Sequence, residues 1–336
     1  MSPTPPDVLP APAAGRWLWR RGPTAWLLWP LSLIFCALVR LRRLLYRAGL
    51  FRSFKPRVPL IVVGNLSVGG QGKTPVVQAL AGLFADRGRR VGLLTRGYKS
   101  DYEGDIRLLE QGQTHPSAGD EANMLSELTA LPIAVGADRV AAAEALIDQH
   151  PELDLLISDD GLQHYRLGRD IEIVVQRPGG YGNRFCLPAG PLREPLSRLR
   201  SVDRVIDRGS EDVSERLGAA WNLLDAQQRR PLESFRGMPL HALAGIGFPE
   251  SFFDALRAQG LNPRCQAFPD HHDYSALDLA DLVDAPLLVT HKDAVKLRPI
   301  AEAQGWQDIW VVPLELELSD ALQSELMQLL ETKTRG

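Results

Sequence analysis

The sequence predicts an α/β fold: a mostly parallel sheet with helices on both faces, a smaller α/β lobe toward the C-terminus, and an apolar helix near the N-terminus. Three observations carry this. Short apolar runs closed by glycine, proline or acidic residues recur from Val58 onward. The early ones alternate with stretches of helical character, the pattern of βαβ units in a sheet covered on both faces. An uncharged run, Gly22 to Val39, lies between two groups of arginines before the first such unit. The 336 residues give room for about two domains. Apolar residues are 45% and charged residues 24%, the balance of a folded globular chain. A net charge of -3 argues against nucleic-acid binding, and no feature marks an obligate protein partner.

In chain order, residues 1–15 are rich in Pro, Ala, Ser and Thr and read as a flexible tail, because they bring too little apolar surface to order themselves. Residues 16–57 read as a membrane-associated helical segment. Arg16, Arg20 and Arg21 precede the run GPTAWLLWPLSLIFCALV, and Arg40, Arg42, Arg43 and Arg47 follow it. Trp17, Trp19, Trp26 and Trp29 suit a membrane interface, where one side of an indole is apolar and the other wet. The run is slightly short of the ~20 residues of a full span, and Pro30 interrupts it, so a span and a shallow insertion both remain open.

From Val58 the strands are VPLIVVG (58–64), RVGLLTRG (90–97), PIAVG (132–136), LDLLISDDG (153–161) and IEIVVQ (171–176). Helices are predicted over 74–87, with Gly88 as its closing residue, and over about 138–150. Residues 58–205 form a first lobe and 206–238 an inter-lobe region. Residues 239–336 form the C-terminal lobe, with strands over 241–247, 286–293 and 308–318 and a helix over 249–259. The stretch 178–200, with Pro, Gly and Arg but few apolar runs, reads as a functional loop. Cys36, Cys186 and Cys265 are far apart in sequence and show no metal-ligand spacing. They read as unpaired thiols in a reducing compartment.

The strongest local signal is GNLSVGGQGKT, Gly64 to Thr74, between a strand and a helix. Backbone N–H groups must converge on phosphate oxygens without side chains in the way, and Gly69, Gly70 and Gly72 leave that room. Ser67, Val68 and Gln71 complete the loop, the helix adds its positive dipole end, Lys73 sets a cation against the terminal phosphates, and Thr74 offers a hydroxyl to Mg2+. The strict pattern GxxxxGK[ST] asks for glycine at 67, where this chain has serine. ATP and Mg2+ are thus the expected cofactors, and the fold is of the P-loop NTPase type.

Such a site needs acidic groups for Mg2+. Asp159 and Asp160 close an apolar strand beside the loop, with Gln163 and His164 just after. Gly119-Asp120-Glu121 precedes a helical stretch, where a helix cap accounts for Asp120 as readily as a site role does. Asp270-His271-His272-Asp273 is a dense acid and imidazole cluster, and a histidine paired with a carboxylate is a natural general base.

Taken together, GNLSVGGQGKTP (64–75), LTRGY (94–98), GDE (119–121), DDGLQH (159–164), LPAGPLREP (187–195), AGIGFPESFF (244–253), FPDHHDY (268–274) and TxKDAVKL (290–297) resemble the tetraacyldisaccharide 4′-kinase family over about residues 16–330. Ser67 belongs to that family's loop. The resemblance implies a kinase that transfers the γ-phosphate of ATP to the 4′-hydroxyl of a tetraacyl disaccharide 1-phosphate, making the lipid A precursor lipid IVA at the cytoplasmic side of the bacterial inner membrane. It implies Asp120 as catalytic base with His271 assisting, and Thr74, Glu121, Asp159 and Asp160 around Mg2+. Arg193 is a candidate for a substrate phosphate. Lys73 and His271, in separate lobes, imply closure that excludes water. Where the family commonly has Thr-Glu-Lys-Asp, this chain has Thr290-His291-Lys292-Asp293. The rival reading is a membrane-anchored P-loop ATPase or switch protein acting on a protein partner. A GTPase switch should carry Asn-Lys-x-Asp, and His291-Lys292-Asp293-Ala294 lacks it.

Overall fold

The computed structural model describes residues 16–69, 71–97, 106–270 and 272–334. The described residues divide into two compact units, one within residues 14–214 with 317–336, the other within residues 215–316.

The first unit is built on a seven-stranded sheet. Its strands are β1 (Leu60–Gly64), β2 (Val91–Thr95), β3 (Arg107–Leu109), β4 (Ile133–Val135), β5 (Leu155–Asp159), β6 (Ile171–Gln176) and β7 (Arg204–Asp207). Their order is β3-β4-β2-β5-β1-β6-β7. All neighbours are parallel except β3 with β4. The helices are α1 (Pro23–Arg47), α2 (Lys73–Asp86), α3 (Asp120–Thr129) and α4 (Arg139–Gln149). β1, β2 and β5 are buried along their whole length, which is why their sequences are continuous apolar runs without alternation.

In the second unit lie β9 (Ala220–Asn222), β10 (Arg229–Arg230), β11 (His241–Ala244), β12 (Arg264–Ala267), β13 (Leu287–Thr290) and β14 (Ile309–Val312), with α5 (Pro249–Ala258), α6 (Ala276–Leu279) and α7 (His291–Gln304). The six strands run β10-β9-β14-β13-β11-β12, and the four C-terminal ones are mutually parallel. β8 (Val213–Leu217) and β15 (Leu314–Leu318) form a separate two-stranded ribbon. α8 (Asp320–Thr334) follows and belongs to the first unit.

The units cut the chain differently from the expected 58–205, 206–238 and 239–336. β7 joins the first sheet, β9 and β10 join the second, and the terminal helix returns to the first unit. Two element boundaries also change. The run 286–293 is a strand only to Thr290, whose side chain accepts from Asp293 N and so starts α7. The run 308–318 is two strands separated at Pro313, because proline cannot donate to a ladder.

α1 is 25 residues long and apolar enough to cross a membrane. One of its faces lies against the first unit. Ser32 Oγ donates to Cys186 O at 2.8 Å, Trp26 meets Phe185 edge-on, Phe35 packs on the sheet's apolar core, and Arg43 reaches Ser201 Oγ. Cys36 and Cys186 are disulfide-bonded, their Cα atoms 6.4 Å apart across 150 residues of sequence. This corrects the expectation of three unpaired thiols; Cys265 alone is free. Sequence spacing limits local motifs but not a link between a helix and a distant loop. The opposite face of α1 exposes Leu27, Leu31, Ile34, Leu38 and Leu41, a continuous stripe at helical spacing.

Candidate active site

The phosphate loop leaves the C-terminal end of β1, between β5 and β6 in the sheet, where parallel α/β sheets bind ligands. Strand and loop meet tightly at Gly64, where a Cβ would stand 2.5 Å from Leu162 Cβ. Asn65 braces the turn. Its Nδ2 donates to Ser67 O at 2.9 Å, and its Oδ1 accepts from Lys73 Nζ at 3.3 Å. The segment 187–195 props the loop from outside: Val68 N donates to Pro191 O, Arg193 N donates to Leu66 O, and Ser67 bridges Leu192.

Gly69 and Gly72 have φ of +94° and +66°, the left-handed region that glycine enters freely. Gly72 caps α2 and exposes its N-terminal amides to the loop. Arg208 lies over this point, its Nη1 donating to the carbonyls of Gln71 and Gly72 at 3.3 Å each. Gln71 is buried, and among the described residues neither polar atom of its side chain has a hydrogen-bond partner. Gly70 lies outside the described residues. Lys73 and Thr74 open α2.

β5 delivers Asp159 and Asp160 beside the loop. Asp160 takes φ +49° and turns to the cations: Lys73 Nζ lies 3.4 Å away, and Arg193 Nη1 lies 3.1 Å from both carboxylate oxygens. Burial opposes its ionisation, but Lys73 and then Arg193 outweigh it and hold the carboxyl at about 2. Asp159 is different. Burial pushes its carboxyl up to about 7, Lys73 opposes the rise, and the charges of Glu121 and Asp160 add to it. Its Oδ1 is buried without a hydrogen-bond partner among the described residues. Arg139, itself buried, donates to Asp159 O at 2.8 Å and Gly136 O at 3.1 Å. Burial lowers its guanidinium to about 10, so it stays cationic at neutral pH.

Asp120 and Glu121 form the first turn of α3, which packs beside α2. The N-cap is Gly119 at φ +83°, which has no side chain to cap the helix. Asp120 is the first residue of the helix, and its carboxylate stands at a helix N-terminus that favours negative charge.

Gln163 extends the site. Its Nε2 donates to Asn65 O and to Glu194 Oε1, both at 3.1 Å. Buried Glu194 pairs with buried Arg198 at 3.3 Å and accepts from Tyr165. The structure thus gathers Ser67, Val68, Gly69, Gln71, Gly72, Lys73, Thr74, Glu121, Asp159, Asp160 and Arg193 around one strand edge. Arg208, Arg139, Asn65 and Glu194 join them, though sequence reading gave them no role. Only Asn65 and Glu194 fall within motifs, which was the available signal. His271 lies outside the described residues. Its neighbours are in the second unit, Asp270 with Lys292 Nζ at 2.8 Å and His272 with Asp278 at 3.4 Å.

Residues 24–331 match the family model described as tetraacyldisaccharide-1-P 4′-kinase, LpxK. The chain belongs to that family. A relative from Azoarcus sp., described as tetraacyldisaccharide 4′-kinase, is 45% identical over 326 residues, covering 93% of this chain and 94% of its own. One from Nitrosococcus oceani with the same description is 42% identical, covering 94% of both. Among solved structures, the ATP complex of LpxK from Aquifex aeolicus matches with a TM-score of 0.76 and 28% identity, over 91% of this chain and 99% of that one. The chain is therefore an ATP-dependent kinase of lipid A biosynthesis with the family's fold, and the rival reading as an ATPase or switch protein is set aside.

Proposed function

We propose that this LpxK-family chain transfers the γ-phosphate of ATP to the 4′-hydroxyl of a tetraacyl disaccharide 1-phosphate at the cytoplasmic face of the bacterial inner membrane, forming lipid IVA. The observation that carries this reading is the glycine-lined loop ending in Lys73, whose ammonium lies between Asn65 and Asp160 in a chain of this family. Loop amides and Lys73 neutralise charge on the transferred phosphoryl group. Asp120 is the base that takes the proton of the sugar hydroxyl, a poor nucleophile at neutral pH, and His271 assists it.

Mg2+ fits the acidic edge. A buried carboxylate with one oxygen unpartnered among the described residues, Asp159, is relieved by a cation. Among the described residues no three acidic or imidazole groups converge on one point, which agrees with an ion held by one or two carboxylates plus phosphate oxygens and water. Thr74, Asp159 and Glu121 would hold it, while Asp160 anchors Lys73 and Arg193. Bound there, Mg2+ supplies charge neutralisation at the phosphates. Arg193, engaged with Asp160, is placed to exchange that partner for a substrate phosphate.

α1 delivers the enzyme to its lipid substrate. Its contacts with the first unit run from Trp26 to Arg43, so the docked helix inserts its exposed leucine stripe into the interface without crossing the bilayer. Arg40, Arg42, Arg47 and Arg52 attract anionic headgroups, at ~1 kcal/mol per cation near the surface.

The test is transfer of label from ATP to tetraacyl disaccharide 1-phosphate by the purified protein with Mg2+. ATP consumed with no labelled lipid would overturn the reading. Asp120→Ala should lower kcat by at least about a hundredfold with nucleotide affinity nearly unchanged. Equal loss of both would remove Asp120 from the chemistry.

A further inference from the structure

Arg208 stands over the phosphate loop and has no part in the chemistry described above. It follows β7, and its backbone N–H donates to Gln176 O at 2.9 Å, which carries the β6–β7 ladder one residue past the strand end. The turn around it is fixed as well. The Asp207 carboxylate accepts from Gln176 Nε2 at 2.7 Å and from Gly209 N at 2.9 Å, and Ser210 Oγ donates to Asp207 O at 2.7 Å. The arginine side chain therefore leaves a rigid base. It is buried, and its Nη1 reaches the carbonyls of both Gln71 and Gly72. The Gln71 side chain is wedged against the segment that follows β6: a Cβ at Gly180 would stand 2.4 Å from Gln71 Oε1.

The two carbonyls matter because of the N–H groups they share peptides with. In a planar trans peptide the C=O and the following N–H point in opposite directions. Holding Gln71 O sets the direction of Gly72 N–H, and holding Gly72 O sets that of Lys73 N–H. Both N–H groups belong to the first turn of α2 and have no acceptor within the helix. Gly72 is left-handed and Lys73 helical. Successive residues of opposite hand turn their N–H groups into one concavity that takes an anion. A cation at this place does not serve the stability of α2. A helix N-terminus repels positive charge, and Lys73 already adds one to the same turn.

We propose that Arg208 is a positioning residue for nucleotide binding: by holding Gln71 O and Gly72 O it aims the N–H groups of Gly72 and Lys73 at one phosphate oxygen of ATP. This rests on the reading of residues 67–74 as the loop that cradles the phosphates of ATP. Arg208 acts through the backbone it holds and does not touch the reacting atoms. Amides already aimed at their ligand lose less freedom when it binds, so the gain appears as affinity for ATP.

The experiment uses the full-length protein with Mg2+ and ATP, and combines titration calorimetry, steady-state kinetics and thermal melting. Arg208→Met keeps an unbranched apolar stem and removes the donors. It should raise Kd and KM for ATP by about ten- to a hundredfold, with the loss falling on affinity rather than on kcat. KM for the lipid should stay within about twofold, and melting without ATP should stay near the wild-type temperature. Arg208→Gln, with a shorter polar side chain, should act in the same direction and keeps the signal available if Arg208→Met fails to fold. In a Gly72→Ala background, where the added Cβ takes the place of Nη1, Arg208→Met should add no further loss. Wild-type affinity for ATP in both Arg208 variants would overturn the proposal, as would full additivity with Gly72→Ala. A parallel fall in ATP affinity, kcat and ATP-free melting would also overturn it, leaving Arg208 as a support of the fold. Lys73→Ala with wild-type affinity for ATP would instead remove the reading of the loop, and the proposal with it.

Discussion

Neighbouring residues in this site have opposite fates. Asp159 and Asp160 share a strand end, yet Asp160 meets two cations and Asp159 meets buried space. The difference is testable through pH. Burial raises the folded-state pKa of Asp159 to about 7, above the ordinary carboxylate value, so the fold favours its neutral form. The stability this contributes is fully present below pH ~4 and is lost as pH rises through ~7. Asp159→Asn removes that dependence. In chemical denaturation without Mg2+, the variant should gain stability relative to wild type between pH 5 and pH 8; a difference that stays flat across that range refutes the assignment. Gly72 gives a second prediction. An alanine there must adopt φ +66°, at about 1–2 kcal/mol, and its Cβ would fall 1.4 Å from Arg208 Nη1. Gly72→Ala should weaken ATP binding about tenfold or more, measured by titration calorimetry, with little change in fold by circular dichroism.

At the scale of elements, α1 shows what sequence pattern reveals and what it hides. Its length, flanking arginines and tryptophans were legible, because they are local. Its seat was not: Ser32, Cys36 and Arg43 find partners 150 or more residues away, and no local period reports such pairings. The stripe Leu27, Leu31, Ile34, Leu38 and Leu41 is exposed, so Leu31→Glu with Leu38→Glu should leave the melting temperature unchanged. The pair should also reduce co-sedimentation with anionic vesicles by at least about tenfold. Unchanged sedimentation would place the membrane contact elsewhere. The buried strands were readable as apolar runs for the converse reason, that both faces are covered. β3 was missed: three residues paired antiparallel at the sheet edge leave almost no pattern. Within the site, the loop glycines, Lys73 and the Asp159-Asp160 pair were legible because phosphate chemistry demands them at fixed spacing. Arg139 and Arg208 were not, since an arginine that braces a carbonyl from across the fold looks like any other.

Across the whole molecule, the nucleotide site is built within one unit, on a sheet whose core draws on β1, α4, β5 and β6. The second unit has its own apolar clusters, one around Phe235, Phe253 and Trp310 and another around Leu287, Val289 and Leu297. Ligand stabilisation should therefore be uneven. ATP at a hundred times its Kd stabilises the state that binds it by about 2.7 kcal/mol. That free energy slows hydrogen exchange only for amides whose opening disrupts the site. Amides of β1, β5 and α2 should thus exchange about a hundredfold more slowly with ATP present, whereas those of β11, β13 and β14 should change little. Lys73→Ala removes the ammonium that lies between Asn65 and Asp160 and should abolish the difference at the same ATP concentration. Equal slowing in both sheets would mean that the two cores open together, and that nucleotide binding stabilises the chain as one cooperative body.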